Sequence, residues 1–262
     1  MTRLDATFSA LRSAGRKALV PFVTAGDPAL DATVPVLHAL VAAGADVLEL
    51  GVPFSDPMAD GPVIQRSSER ALARGAGLSY VFGVVREFRA TDDKTPIVLM
   101  GYLNPVEIRG ADAFAAEAAA AGVDGVLLVD LPPEEATELR EALASRGLAL
   151  ILLASPTTPP ARMRRLVEDA RGYLYFVSFA GVTGADHLDT GVASARLREI
   201  RQASTVPVLA GFGIKDAASA AAMAAQADGV VVGSALVAAL SDAPDPAAAA
   251  GRFLAPLREA LR

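Results

Sequence analysis

Short apolar runs alternate with alanine-rich amphipathic stretches from one end of the chain to the other. The apolar runs are continuous in Val, Ile and Leu rather than alternating with polar residues, which indicates strands of a parallel sheet that is covered on both faces. We predict strands over Ala18–Val23, Val47–Leu50, Ile97–Met100, Gly125–Val129, Leu148–Leu153, Leu174–Ser178, Pro207–Ala210 and Gly229–Val232.

Helical patterns fill the intervals between these strands. Gly44, Gly122 and Gly147 follow three of the helices, at the position where a helix commonly ends in the left-handed conformation. The predicted helices are Leu4–Arg12, Leu30–Ala43, Val63–Arg74, Tyr80–Ala90, Asp112–Ala121, Glu134–Arg146, Pro160–Ala170, Val192–Gln202, Asp216–Ala225 and Pro246–Leu261.

Eight strand–helix units in a chain of this length predict an α/β protein with a (β/α)8 TIM barrel, which forms a single domain over residues 1–262 and carries an extra N-terminal helix. No linker or low-complexity tract interrupts the series. The alternative is a doubly wound open sheet. That fold normally places a Gly-rich phosphate loop after its first strand, whereas the glycines of this chain cluster late.

One predicted strand contains an ionisable residue. Glu49 lies between Leu48 and Leu50, so its side chain should be buried, where a carboxylate costs several kcal/mol unless it is protonated or well partnered. Such groups are often kept because chemistry needs them, although an internal ion pair is the alternative. Asp60 follows in the next loop, where Ala-Asp-Gly is also ordinary turn chemistry. In a barrel both carboxyl groups lie at the C-terminal end of the strands, where active sites are built.

Aromatic and apolar residues occupy several other strand ends. Tyr175, in the sixth strand, is a candidate catalytic residue, with a plain core tyrosine as the alternative. An apolar wall around a flat substrate is predicted from Phe22, Met100, Tyr102, Leu127, Val129 and Phe212.

Two glycine-containing loops follow the last two predicted strands. Gly211-Phe212-Gly213-Ile214 precedes one helix, and Gly233-Ser234-Ala235 opens another. The loops after strands seven and eight form the usual phosphate site of a barrel, because backbone amides and a helix N-terminus face the anion there. We therefore predict a phosphate site. The segment Ala180–Asp186 has two glycines and suits a lid over a ligand, with a flexible surface loop as the alternative.

Composition narrows the class of function. The net charge of −6 and the pI near 5.0 argue against nucleic acid and anionic membranes as partners. With no cysteine and only His38 and His187, thiolate chemistry is excluded, a histidine-built metal site is not expected and we predict no metal. The N-terminus lacks a basic and then apolar signal, and no apolar run reaches the length of a membrane span. We expect a soluble, cytoplasmic protein.

Four segments resemble the alpha chain family of tryptophan synthase. They are Phe22–Pro28, Leu48–Pro62, Gly181–Gly184 and Gly211–Ile214, and the resemblance covers essentially the whole chain. It implies the retro-aldol cleavage of indole-3-glycerol phosphate to indole and glyceraldehyde 3-phosphate. This reaction needs a proton at indole C3 and a negative charge near the ring, which two carboxyl groups in unlike environments can supply.

The resemblance also implies roles for individual residues. Glu49 matches the general acid/base at indole C3, Asp60 the carboxylate that holds the indole N–H, and Tyr175 an assisting aromatic residue. Thr183 matches a lid residue that orders the loop around Asp60. The phosphate-holding positions of the family are matched by Gly184, Gly213, Gly233 and Ser234. Many family members have arginine where this chain has Phe179, so we expect altered lid dynamics.

A partner is implied as well. The family docks on a beta chain that carries pyridoxal phosphate, in an alpha2beta2 complex, through segments that match Asp56, Pro57 and the Asn104–Pro105 turn. The chain itself is expected to bind no cofactor. Three alternatives remain open: a free-standing indole-3-glycerol-phosphate lyase, a binding subunit whose catalysis has decayed, and another phosphosugar barrel. The last would use metal-binding histidines or a Schiff-base lysine, and neither is evident.

Overall fold

A closed barrel of parallel strands forms the centre of the protein. The computed structural model describes residues 1–177, 190–211 and 213–262. Within these ranges each strand pairs in parallel with the next, and the last pairs with the first, so the predicted (β/α)8 barrel is confirmed. The strands are β1 (Ala18–Thr24), β2 (Leu48–Gly51), β3 (Ile97–Gly101), β4 (Gly125–Leu128), β5 (Ala149–Ala154), β6 (Leu174–Val177), β7 (Val208–Gly211) and β8 (Gly229–Val232).

Helices surround the barrel in chain order. They are α1 (Arg3–Ser13), α2 (Thr33–Ala42), α3 (Pro62–Ala73), α4 (Leu78–Arg89), α5 (Leu103–Arg109), α6 (Ala111–Ala121), α7 (Thr137–Ala144), α8 (Pro160–Asp169), α9 (Thr190–Ala203), α10 (Ala217–Ala224), α11 (Ser234–Ser241) and α12 (Pro246–Ala260). Gly44, Gly122 and Gly147 have positive φ angles of 103°, 95° and 75°, as predicted for glycines that follow helix ends.

The extra N-terminal helix is also confirmed. Thr2 caps α1, and Asp5 completes a reciprocal capping box with it. The buried side chains of α1, which are Leu4, Phe8 and Leu11, join the cluster of side chains inside the barrel. The outward faces of the strands pack instead against the surrounding helices in a second, larger cluster.

Two predicted helices and one predicted turn differ from the structure. The predicted Leu30–Ala43 helix is divided into a 3₁₀ turn, Leu30–Ala32, and α2. The predicted Glu134–Arg146 helix is reduced to α7. The Asn104–Pro105 turn is wrong, because both residues lie in the first turn of α5. A proline is tolerated there because the first backbone N–H groups of a helix have no partner within the helix.

Three aspartates join neighbouring strands at the N-terminal end of the barrel. The carboxylates of Asp46, Asp124 and Asp228 accept the backbone N–H groups of Leu19, Ile97 and Val208 at 2.8, 2.9 and 3.0 Å. In each case the aspartate N–H donates back to the carbonyl of the same residue. Each aspartate comes just before an even-numbered strand and each partner lies on the preceding strand, so consecutive strands are tied in register.

Asp124 has the most buried of these clusters. Its two carboxylate oxygens also bind Arg3 at 3.0 Å and Arg89 at 2.7 Å, and Arg89 itself is largely buried. We expect Asp124→Ala to lower the free energy of unfolding by about 3 kcal/mol, because the change removes the carboxylate partner of the largely buried Arg89 guanidinium and leaves a strand N–H unpaired. Urea unfolding at pH 7 measures this loss.

The matched control is Asp93→Ala, since Asp93 is an exposed aspartate whose carbonyl, not its side chain, accepts a hydrogen bond from Arg3. Its stability should stay within about 0.5 kcal/mol of the unmodified chain. A loss at Asp124 that is no larger than the loss at Asp93 would contradict the structural role of this cluster.

Candidate active site

Glu49 lies on β2 with its side chain inside the barrel and no solvent exposure. Burial raises its pKa to about 7, and a hydrogen bond from Tyr173 opposes part of this shift. Oε1 accepts that bond at 2.5 Å, whereas Oε2 has no hydrogen-bond partner among the described residues. The carboxyl group is therefore poised to gain and lose a proton near neutral pH.

Tyr173 is the partner that the sequence analysis missed. It precedes β6 directly, is fully buried, and packs against Phe8 of α1 with ring centroids 5.8 Å apart. Burial and the charge of Glu49 raise the pKa of Tyr173 well above its usual value, so its hydroxyl keeps its proton. The hydroxyl donates a hydrogen bond to Glu49. Its spacing of two from Tyr175 was an available signal, because alternate strand residues share a face.

Asp60 lies in the loop between β2 and α3 and is half-buried. Burial raises the pKa of Asp60 above its ordinary value. A 3.0 Å hydrogen bond from the Tyr102 hydroxyl to Oδ2 opposes part of this shift. Tyr102 was predicted as part of an apolar wall, but its hydroxyl also accepts the Ala59 N–H at 3.0 Å. The Tyr102 ring stacks on Phe54 with centroids 5.0 Å apart. It therefore combines an apolar face with a polar contact to Asp60.

Tyr175 lies on β6 and its side chain is buried inside the barrel. Its pKa is raised well above the usual value by burial first, then by the charges of Glu49 and Asp60. Both carboxyl groups thus act on this one hydroxyl. Gly211 makes room for it, because a Cβ at position 211 would lie 2.6 Å from Cζ of Tyr175 and overlap its hydroxyl. Gly211, the last residue of β7, is therefore needed for packing.

The predicted apolar wall is found partly on the same inner face. Phe22 pairs with Glu49 in the β1–β2 register, and Met100 pairs with Leu127 between β3 and β4. Leu127 belongs to the buried inner cluster, and Met100 and Val129 pack against it. The Phe22 ring covers Gly51 so closely that a Cβ there would lie 2.6 Å from its Cζ.

The helices that follow the two glycine-containing loops differ in the capping of their N-termini. Asp216 caps α10 by accepting the Ser219 N–H at 2.8 Å, so a carboxylate of the chain already occupies that helix N-terminus. Gly233 begins α11 without any side-chain cap, and Ser234 is its first residue. Gly213 is exposed, with φ at +74°. The free amides for an anion are thus expected from α11 and Gly213 rather than from α10.

Several predicted residues lie outside the described ranges: Phe179, Thr183, Gly184 and Phe212. Among the residues that are described, no group of three or more His, Cys, Asp or Glu side chains could hold a metal ion. No helix in the described part of the chain combines the length and apolar composition needed to span a membrane.

Comparisons with known proteins identify the family to which this chain belongs. The family model described as tryptophan synthase alpha chain matches residues 8–259. A tryptophan synthase alpha chain of Xanthomonas euvesicatoria is 69% identical, with 100% of this chain and 99% of the relative covered. One from Xanthomonas campestris pv. campestris strain B100 is 68% identical, covering 99% and 97%.

Solved structures give the same family. Tryptophan synthase subunit alpha from Legionella pneumophila strain Paris superposes with a TM-score of 0.94 at 47% identity, covering 100% of this chain and 98% of that one. A chain of M. tuberculosis tryptophan synthase gives 0.90 at 35% identity, with 100% and 99% covered. The chain therefore belongs to the tryptophan synthase alpha chain family and is a carbon–carbon lyase of tryptophan biosynthesis, which cleaves indole-3-glycerol phosphate to indole and glyceraldehyde 3-phosphate.

Proposed function

We propose that Glu49 and Asp60 share the chemistry of this cleavage. The observation that carries the proposal is the contrast between their environments, since Glu49 is fully buried with a pKa of about 7 and Asp60 is half-buried beside a hydroxyl donor. A protonated Glu49 delivers a proton to indole C3, which makes the ring a leaving group. An ionised Asp60 holds the indole N–H and offsets the positive charge that develops on the ring.

Bond cleavage then returns the proton. When the bond from C3 to the glycerol carbon breaks, the hydroxyl on that carbon loses its proton and becomes the aldehyde of glyceraldehyde 3-phosphate. The carboxylate that Glu49 leaves after the first step is the base that accepts it. Tyr173 orients Glu49 through its 2.5 Å hydrogen bond, and Tyr175 contributes a neutral hydroxyl on which the charges of both carboxyl groups act. These steps draw on side chains of this chain alone, and we propose that pyridoxal phosphate belongs to the partner only.

The remaining site residues bind the substrate. Phe22, Met100, Leu127 and Phe212 form the apolar surface for the indole ring, together with the ring of Tyr102. Amides at Gly213, Gly233, Ser234 and Gly184 hold the phosphate, and Thr183 belongs to the lid that closes over it. The uncapped N-terminus of α11 supports the phosphate assignment, because four backbone N–H groups at a helix start have no partner within the helix.

The partner is a tryptophan synthase beta chain, which we propose binds at the C-terminal end of the barrel in the cytoplasm. Met58, in the loop after β2, and Ile108, in α5 after β3, are 81% and 80% exposed. Large apolar side chains with this exposure favour a protein interface. Met58 lies beside Asp56 and Pro57, and the helix of Ile108 contains Asn104.

The experiment is the release of indole from indole-3-glycerol phosphate by the purified chain, with and without a beta chain loaded with pyridoxal phosphate. We expect slow release alone and at least about tenfold faster release with the partner, a coupling of more than 1 kcal/mol. Ile108→Asp should weaken the beta-chain affinity, read from titration of the stimulated rate, by at least about tenfold.

Ala222→Asp, at an exposed position on α10, serves as the control for the added charge. Equal affinity losses in both variants would contradict the proposed contact. Fast release by the chain alone, unchanged by the partner, would favour the free-standing lyase. No release under either condition would remove the assignment of the two carboxyl groups.

A further inference from the structure

One side chain of α3 binds the loop that carries Asp60 at two places. The amide nitrogen of Gln65 donates to the carbonyl of Asp60 at 2.8 Å and to the carbonyl of Pro57 at 3.4 Å. These two carbonyls belong to the first and last residues of a four-residue turn, which the Asp60 N–H closes by donating to the Pro57 carbonyl at 3.0 Å. Gln65 therefore holds both ends of the turn.

The turn is held from its other side by Tyr102. The tyrosine hydroxyl accepts the N–H of Ala59 and donates to the carboxylate of Asp60, each at 3.0 Å. Together the two side chains contact both the backbone and the carboxylate of Asp60. Because Tyr102 directly follows β3 whereas Gln65 lies on α3, the position of the carboxylate depends on two separate parts of the barrel.

Gln65 is itself on a firmly held support. It lies in the first turn of α3 and its own N–H donates to the carbonyl of Gly61. Further along α3, Arg70 makes a bidentate ion pair with buried Asp27, at 2.8 and 2.7 Å. This ion pair anchors α3 to the segment that follows β1. The side-chain amide of Gln65 therefore has little freedom to follow a displacement of the loop that carries Asp60.

We propose that Gln65 is a positioning residue for Asp60 and links Asp60 to Pro57, the residue of the proposed partner contact. This inference rests on the proposed function and extends it to regulation of the same site. A displacement of Pro57 on docking changes the longer of the two hydrogen bonds of Gln65 and thereby the position of the Asp60 backbone. Without the amide, the turn moves independently of α3, and Asp60 loses its alignment with the indole nitrogen.

The test compares kinetics of Gln65→Met with those of the unmodified chain. Methionine keeps the length and apolar body of glutamine but has no N–H donor in its side chain. We expect kcat for indole release to fall about 10- to 100-fold, the range that a misplacement of about 1 Å produces. KM should change less than about threefold, since the phosphate amides are untouched, and stimulation by the beta chain should fall at least about fivefold. Gln65→Glu, which places a carboxylate against two carbonyl oxygens, should lose as much.

Gln202→Met is the matched control, because Gln202 is exposed on α9. Circular dichroism establishes that each variant is folded at the assay temperature. If Gln65→Met keeps kcat and partner stimulation within about twofold of the unmodified chain, the inference is overturned. A loss of the same size in Gln202→Met would overturn it too. If the unmodified chain releases no indole, the proposed function and this inference are overturned together. If the unmodified chain releases indole and only the Gln65→Met prediction fails, the proposed function stands and this inference alone is overturned.

Discussion

Replacement of Glu49 by glutamine is expected to reduce indole release at least about 1000-fold, because general acid/base catalysis contributes factors of this order. Glutamine has nearly the same shape and can still accept a hydrogen bond from Tyr173. It cannot carry the proton to C3 or receive one from the glycerol hydroxyl. Binding of a phosphate-bearing substrate analogue, measured by calorimetry, should stay within about threefold, since the phosphate groups are untouched.

The pH dependence provides a second signature of Glu49. Protonated Glu49 becomes scarce above its pKa of about 7, so kcat/KM should fall about tenfold per pH unit there, and the glutamine variant should show no such limb. The sign for stability follows from the same shift. The folded chain keeps the proton more tightly than the unfolded chain, whose carboxyl has its ordinary value of 4.5, so this group lowers stability as pH rises from 4.5 through about 7.

Glu138→Gln is the control for this experiment, since Glu138 is exposed on α7. That variant should keep full activity. Turnover by Glu49→Gln above a tenth of the unmodified rate would exclude Glu49 as the proton carrier.

Replacement of Asp60 by asparagine is expected to lower kcat about 100- to 1000-fold, the cost of removing one electrostatic group from a transition state. Asparagine keeps the shape and can still accept the Tyr102 hydroxyl, but it offers no negative charge to the indole ring. Single-turnover measurements with saturating substrate separate this loss from binding. The unmodified enzyme should also lose activity as pH falls through the Asp60 pKa, which burial raises above the ordinary range.

Asp112→Asn, at an exposed position of α6, should leave kcat unchanged. An Asp60→Asn variant with more than half of the original kcat would contradict the electrostatic role. A loss confined to KM would assign Asp60 to binding alone.

Some features followed from local pattern. Continuous apolar runs predicted each strand of the barrel, since a strand buried on both faces has few other compositions. Glu49 was recognisable as buried for the same reason, and its exposure is 0%. Helix α5 was harder to predict. Asn104 and Pro105 resemble a turn because proline is usually excluded from helix interiors, and only the helix start tolerates it.

Contacts between distant residues could not be predicted this way. Tyr173 and Glu49 are 124 positions apart, and Tyr102 and Asp60 are 42 apart. Gly211 looked like part of a phosphate loop, yet its missing side chain accommodates the Tyr175 ring. The capping of α10 by Asp216 likewise moves the proposed phosphate site towards α11.

The sequence by itself determined the barrel, the order of its elements, the family and the two candidate carboxyl groups, because periodicity and short motifs are properties of neighbouring residues. The tertiary structure alone decided that Glu49 accepts a hydrogen bond from Tyr173, just before β6, and that Asp60 is held by Tyr102 and Gln65. A pKa depends on desolvation and on distances of a few ångströms, and barrel closure sets both by bringing residues that are far apart in the chain to one end of the strands.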